Sequence, residues 1–141
     1  MRDLHNNLQP LQLISPTAAT VDNTAWVSQI VDRQGFESLE LVLNIGSLAD
    51  ADATFTVLVE HGDQSNLSDA AAVADADLLG TEALAGFTFA DDNAVRKIGY
   101  VGSKRYLRVT VTPMNNAAAA YVSGVALLGR PHVAPTANPP A

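Results

Sequence analysis

The 141-residue sequence predicts an all-β fold, an antiparallel β-sandwich or jelly-roll-like barrel of about seven to eight short strands. Three observations carry this. Apolar and polar residues alternate in Thr54–Glu60 and again in Arg105–Thr112, the period of two that places alternate side chains on opposite sides of a pleated ribbon. Further β-branched and aromatic runs recur along the chain, separated by Gly, Asn, Asp and Pro. Finally, 48% hydrophobic against 16% charged residues is enough apolar material to close a core in a chain of this size.

Taken in order, Trp26–Val31 and Leu39–Ile45 predict strands, with Leu39, Leu41, Leu43 and Ile45 on one face. Gly46-Ser47-Leu48-Ala49-Asp50-Ala51-Asp52-Ala53 suits a connection at a sheet edge. In Thr54–Glu60, Phe55, Val57 and Val59 face one way and Thr54, Thr56 and Glu60 the other, with Leu58 breaking the pattern. Leu84–Phe89 reads as a strand with Phe87 and Phe89 on a common face, followed by an Asp91-Asp92-Asn93 turn and a strand over Arg96–Val101. Gly102-Ser103-Lys104 then leads into Arg105–Thr112, where Leu107, Val109 and Val111 alternate with Arg108, Thr110 and Thr112 until Pro113 stops the ladder. Asn115-Asn116 and an alanine run precede the last strand, Tyr121–Leu128.

One stretch departs from this rhythm. Residues 67–80 carry Ser68 as an N-cap, Leu67, Ala71, Ala74 and Leu78 at helical spacing and Gly80 as a stop. Their alanines offer little area to pack and their aspartates are mediocre helix formers, so a short helix and an irregular excursion both remain open. The ends differ again. Residues 1–16 and 131–141 are interrupted by prolines and read as arms flanking a body over 17–130.

The composition narrows the function classes. Fifteen acidic residues against eight Lys and Arg give a formal charge of −7, which opposes the phosphate neutralisation that nucleic-acid binding requires. No cysteine is present to form a disulfide or a thiolate metal site. The first ten residues lack the apolar run of a signal peptide, and no stretch of roughly 18 apolar residues crosses a bilayer. Synthesis in a cytoplasm, without secretion or membrane insertion, is the expectation.

Searching for chemistry turns up little. Asp50/Asp52 and Asp75/Asp77 pair carboxylates two residues apart, but neither pair has the further ligands of a calcium loop, and solvated acidic loops are the simpler reading. His5, His61 and His132 show no metal-ligand spacing. No nucleophile elbow, phosphate loop or dinucleotide fingerprint occurs. The expectation is a protein with no catalytic residues, metal or cofactor. Arg96, Lys97, Lys104, Arg105 and Arg108 concentrate positive charge around Tyr100 and Tyr106. In an acidic chain these are expected to pair with carboxylates rather than with a nucleic acid. Trp26 is expected in the core or at an interface.

Two passages, Val57-Leu58-Val59-Glu60-His61-Gly62-Asp63 running on to Leu67-Ser68-Asp69-Ala70-Ala71-Ala72-Val73 and Leu78-Leu79-Gly80, and Arg96-Lys97-Ile98-Gly99-Tyr100-Val101-Gly102-Ser103-Lys104-Arg105-Tyr106, resemble small structural proteins of tailed-bacteriophage heads. With residues 46–53 the resemblance spans most of the chain, from about Ile14 to Pro140, in texture and order rather than in an invariant motif. It implies a capsid decoration, or cement, protein on the exterior of a virion, bridging subunits of the major capsid protein, with a homotrimer favoured. Extended arms would suit bridging, because linked weak contacts add in avidity. Leu8, Leu11, Leu13 and Ile14 are the residues expected to dock into a neighbouring subunit, unless that segment covers an edge of its own sheet. A tail or head–tail connector component and a carbohydrate-binding β-sandwich module are the competing expectations.

Overall fold

The computed structural model describes residues 2–140; Met1 and Ala141, the extreme ends of the two expected arms, lie outside the described residues. Eleven strand segments form an antiparallel β-sandwich. They are β1 (Leu8–Ile14), β2 (Trp26–Val27), β3 (Val31–Asp32), β4 (Phe36–Leu48), β5 (Thr54–Gly62), β6 (Ala71–Ala72), β7 (Leu78–Leu79), β8 (Phe87–Thr88), β9 (Val95–Tyr100), β10 (Tyr106–Met114) and β11 (Ala120–Pro131). One helical turn, α1 (Glu82–Ala85), precedes β8. A five-stranded sheet has the order β1-β11-β4-β9-β7. A six-stranded sheet is built on β10 and β5, with β2 and β3 along the outer edge of β10, and β6 and β8 along that of β5.

The core is the set of side chains that alternation aims between the sheets. Leu39, Leu41, Leu43, Ile45, Ile98, Val122, Ala126 and Leu128 come from one sheet and meet Phe55, Val57, Val59, Leu107, Val109 and Val111 from the other. Val59, Leu107, Val109 and Val111 are 0% exposed, and each such side chain contributes about 1.5–3 kcal/mol by leaving water. Trp26, Phe55 and Phe87 extend the core at one end, with ring centroids 6.0 Å and 4.7 Å apart. Trp26 therefore packs on the core, as expected from its isolation in sequence.

The six-stranded sheet is patched together at its edges by side chains. Val59 lies opposite Val109, and both direct their main-chain groups away from each other. The N–H of Val109 donates to Ser28 Oγ at 2.9 Å, where the chain swings from β2 to β3. The N–H of Val59 donates to the Glu82 carboxylate of α1 at 2.6 Å. A buried N–H without a partner costs about 1–3 kcal/mol, so Ser28 and Glu82 stand in for strands that are absent at these points. The next residue, Gln29, donates its N–H to Leu13 O at 2.9 Å and ties this sheet to β1 of the other.

Several expectations are corrected. Trp26–Val31 is two short strands divided by the Ser28 crossing. Of the two readings left open for residues 67–80, the irregular excursion holds: they contain no α-helix and give β6, a single 3₁₀ turn over Asp75–Asp77 and β7, consistent with their lack of packing area. Leu84–Phe89 is not a continuous strand, because Thr81 caps α1 through the Leu84 N–H at 3.1 Å and the strand begins only at Phe87. A 3₁₀ turn over Phe89–Asp91 follows, leaving Phe89 exposed while Phe87 is buried. Pro113 does not stop β10, which continues to Met114 with Pro113 beside Phe55. There β10 has no strand on its other edge, since β2 pairs only with Thr110 and Val111, and a proline is tolerated.

The expected N-terminal arm is largely a strand. Leu8–Ile14 pairs along β11 from Leu8 opposite Gly129 to Ile14 opposite Gly124, and Leu13 and Ile14 lie in the core at 1% and 5% exposure. The tail is also held. Pro131 ends β11, and Thr136 donates through its N–H to Asn6 O at 3.0 Å and through its hydroxyl to Leu8 O at 2.8 Å. Proline removes donors but leaves acceptors and side chains free to pack, so a proline-rich end can lie flat without being a strand.

A candidate docking face on the five-stranded sheet

Strand register turns the sequence into rows across the outer side of the five-stranded sheet. Pro10, Leu127, Glu40, Gly99 and Leu79 align across all five strands. The next row is Gln12, Val125, Val42 and Lys97, and the one after it Ser123, Asn44 and Val95. Among these strand positions only Glu40 and Lys97 carry charge. Leu79, Val95, Val125 and Tyr121 are exposed, as is Val101 just beyond β9. Three shallow depressions lie on this side, one of about 280 Å³ between Leu8, Glu40, Leu79, Val101 and Leu127, one of about 320 Å³ beside Pro10 and Val125, and one of about 170 Å³ beside Tyr121. A broad face of hydrocarbon and small polar groups is what marks a protein contact on an otherwise charged molecule.

Glycines flatten this face. A β-carbon on Gly99 would lie 2.9 Å from the Glu40 carboxylate and 3.0 Å from Leu79 Cβ, and one on Gly46 would lie 3.0 Å from Tyr121 Cβ. Glu40 thus folds over bare backbone at Gly99. Burial pushes its carboxyl above the usual carboxylate range, and Lys97, beyond ion-pair distance, offsets part of that. No ion pair among the described residues involves Glu40.

The opposite side of the sandwich differs. Thr54, Thr56, Leu58 and Glu60 of β5 lie beside Met114, Thr112, Thr110 and Arg108 of β10. Arg108 bridges Glu60 at 3.0 Å, Arg105 bridges Asp32 at 2.8 Å and, at a strand end, Lys104 reaches Asp63 at 2.6 Å; Arg96, on β9 of the five-stranded sheet, reaches Asp91 at 2.6 Å. Four of the five clustered cations are thereby paired with carboxylates of the same chain, as the acidic composition led one to expect. Lys97 is the fifth, on the apolar face.

The polar clusters of the sequence resolve into scaffolding. Asp50 accepts from the Asp52 N–H at 3.0 Å and the Ala117 N–H at 2.7 Å, pinning the β10–β11 loop; these contacts hold its carboxyl below the ordinary range. His61 Nδ1 lies 2.8 Å from the Tyr100 hydroxyl, which accepts the Lys104 N–H at 3.0 Å under the Gly102-Ser103-Lys104 corner. Tyr100 is buried, and burial raises its hydroxyl pKa. His132 contacts Glu37 and His5 lies near Asn138, so the three histidines stay apart. No three His, Cys, Asp or Glu side chains converge as metal ligands among the described residues.

The expected docking residues separate. Leu13 and Ile14 are in the core of their own domain and are unavailable to a neighbour; Leu11 packs half-buried against that core, and Leu8 borders the 280 Å³ depression. The alternative stated for Leu8–Ile14, that it covers an edge of its own sheet, is what the structure shows, and the strand it covers is β11. The face itself was missed because Leu79, Val42 and the Val125/Leu127 pair lie on strands far apart in sequence and join only through register.

The sandwich is shared with a chain in the capsid of Ralstonia phage GP4, at a TM-score of 0.50 and 12% identity over 91% of this chain and 86% of that one. It is shared also with the infectious bursal disease virus VP2 subviral particle, at 0.53 and 8% identity over 89% of this chain and 32% of that one. A xylan-binding module, CBM15, aligns over 93% of this chain and 95% of its own at 9% identity, with a TM-score of 0.43. No protein-family model and no curated protein matches the sequence. The chain therefore has an all-β sandwich of a kind present in viral capsids, a likeness of fold alone.

Proposed function

We propose that this chain is a structural virion protein, without catalysis of its own, that binds the outside of a phage capsid and bridges subunits of the major capsid protein. The carrying observation is the outer side of the five-stranded sheet, a flat and nearly uncharged surface on a chain of net charge −7. Every strand of that sheet is pinned to the core beneath, so the face is preorganised and loses little entropy on docking. The alignment with a capsid chain along most of both lengths supports a capsid-like sandwich, the fold that this reading needs. Bridging is assigned to this face, since Leu8–Ile14 is committed to β11. Assembly as a homotrimer after synthesis in the host cytoplasm completes the reading.

Light scattering on the purified protein followed by sedimentation with undecorated phage shells tests it. A trimer that pellets with shells and protects them against heat or low salt is the expected result. Binding instead to tails or connectors moves the assignment to those assemblies, and binding to a glycan array with no affinity for shells overturns it in favour of carbohydrate recognition.

A further inference from the structure

One depression on the apolar face, of about 280 Å³, is walled by Leu8, Leu79, Val101 and Leu127, holds the Glu40 carboxylate, and is bordered at its end by Ser38 and by Glu37, whose carboxylate contacts His132. Three features of that carboxylate are unusual together. It sits in the middle of a five-strand row whose other members are Pro10, Leu127, Gly99 and Leu79. It forms no ion pair among the described residues, although four other acidic side chains of the strands and their turns have an Arg or Lys within 3.0 Å. It lies where a β-carbon at position 99 would collide with it, so Gly99 leaves the room it occupies. A partly desolvated, unpaired carboxylate is costly in the free protein, and covering the face with an apolar partner would raise that cost further unless the partner brought a cation.

We infer that this depression receives an arginine side chain of the protein on which the face docks, the guanidinium meeting Glu40 while its aliphatic stem lies along Leu8, Leu79, Val101 and Leu127. Charge complementarity selects a cation, and the apolar walls select one with a long hydrocarbon stem. Arginine is favoured over lysine because its planar, weakly hydrated head accepts burial against a carboxylate more readily. This deepens the capsid reading and rests on it for the identity of the partner, which would present a basic residue set among apolar ones. The chemistry of the depression can be examined without any capsid.

The probe is N-acetyl-L-argininamide, titrated into the full chain and followed by backbone amide shifts. Saturable shifts at Leu79, Gly99, Val101 and Gly129 are expected in the native protein and at least a severalfold loss of affinity in Glu40→Gln. Absence of shifts there, or equal shifts in Glu40→Gln, overturns the inference. A melting curve at neutral pH serves as the folding control. Because burial disfavours the ionised carboxyl, Glu40→Gln is expected to melt no lower than the native chain, so weaker binding cannot be laid to unfolding. In parallel, Glu40→Gln is expected to weaken shell binding about tenfold. Native protein that binds shells while Glu40→Gln binds them equally well overturns the arginine contact and leaves the capsid reading intact. A Glu40-dependent probe site in a protein that ignores shells does the reverse.

Discussion

Across the five-stranded sheet the row Pro10, Leu127, Glu40, Gly99, Leu79 surrounds one unpaired carboxylate with hydrocarbon, whereas across the six-stranded sheet Glu60 lies beside Arg108, its ion-pair partner, and four threonines are interspersed with exposed Leu58, Met114 and Val27. Both sheets send their alternate residues into the same core, so packing alone demands nothing of their outer sides. Threonine and paired charge hydrate well and hold a strand; a bare apolar sheet gains nothing from water and is expected where water is later excluded. The edges differ in the same sense. β11 and β4 are flanked by the longer strands β1 and β9, while β5 and β10, though paired with each other along their whole lengths, have only two-residue strands on their outer sides and depend on Glu82 and Ser28 to occupy main-chain donors there. The apolar face thus lies on the more continuous sheet, which suits a surface that must keep its shape while docking.

The sharpest way to break this comparison is to charge each face in turn. Val125→Asp puts a carboxylate at the centre of the apolar face, and loss of a valine that docking would bury together with an unpaired charge should weaken shell binding by roughly 100-fold or more at an unchanged melting temperature. Thr112→Asp, on the other side, should leave binding where it was. Equal loss in the two variants would mean that the apolar side has no special role.

Removing the patch on the six-stranded sheet should cost stability rather than binding. Ser28→Ala leaves the buried Val109 N–H without its acceptor, for an expected loss of about 1–3 kcal/mol in urea unfolding. A smaller loss would show that water or a shifted main chain replaces the hydroxyl.

Acid should loosen the polar perimeter. Asp32, held by Arg105, Asp91, held by the Thr88 N–H and Arg96, and Asp50, held by the Asp52 and Ala117 N–H groups, all have folded-state pKa values below the ordinary 3.8. A depressed carboxylate stabilises the fold fully above its unfolded pKa, and that contribution is lost as pH falls through the folded value. The melting temperature should therefore hold down to about pH 5 and fall steadily from about pH 4 downward. Glu40, shifted the other way by burial, opposes this trend only weakly. The smallest effect is expected for Arg105→Ala. Its pair with Asp32 is partly exposed and solvent screens it, so the change in urea midpoint should be slight and should shrink in added salt.

Much of the fold was legible from periodicity. Leu107, Val109 and Val111, and Phe55, Val57 and Val59, fall in the core as alternation indicates, because a pleated strand leaves no other arrangement once one side is buried. Leu58, the exception in its strand, lies on the solvent side. The illegible parts are those where a neighbour distant in sequence supplies the missing interaction. Leu8–Ile14 looked like an arm until β11 offered an edge, and Pro113 looked like a stop until β10 proved to lack a strand there. Thr81 capping α1 was a local signal that could have been read, a threonine directly before a short acidic and alanine-rich run.

Of the candidate site, sequence alone determined the ingredients: an acidic chain, low in charge for its size, with strands whose outward residues are Leu, Val, Gly and Ser in some cases and Thr, Arg and Glu in others. Tertiary structure decided which of these became neighbours. A strand's own pattern determines only which residues share its face, whereas hydrogen-bond register between strands far apart in the chain decides that Glu40 lies between Leu127 and Gly99 while Glu60 meets Arg108. That registration is settled by the fit of the whole core, which no single segment contains.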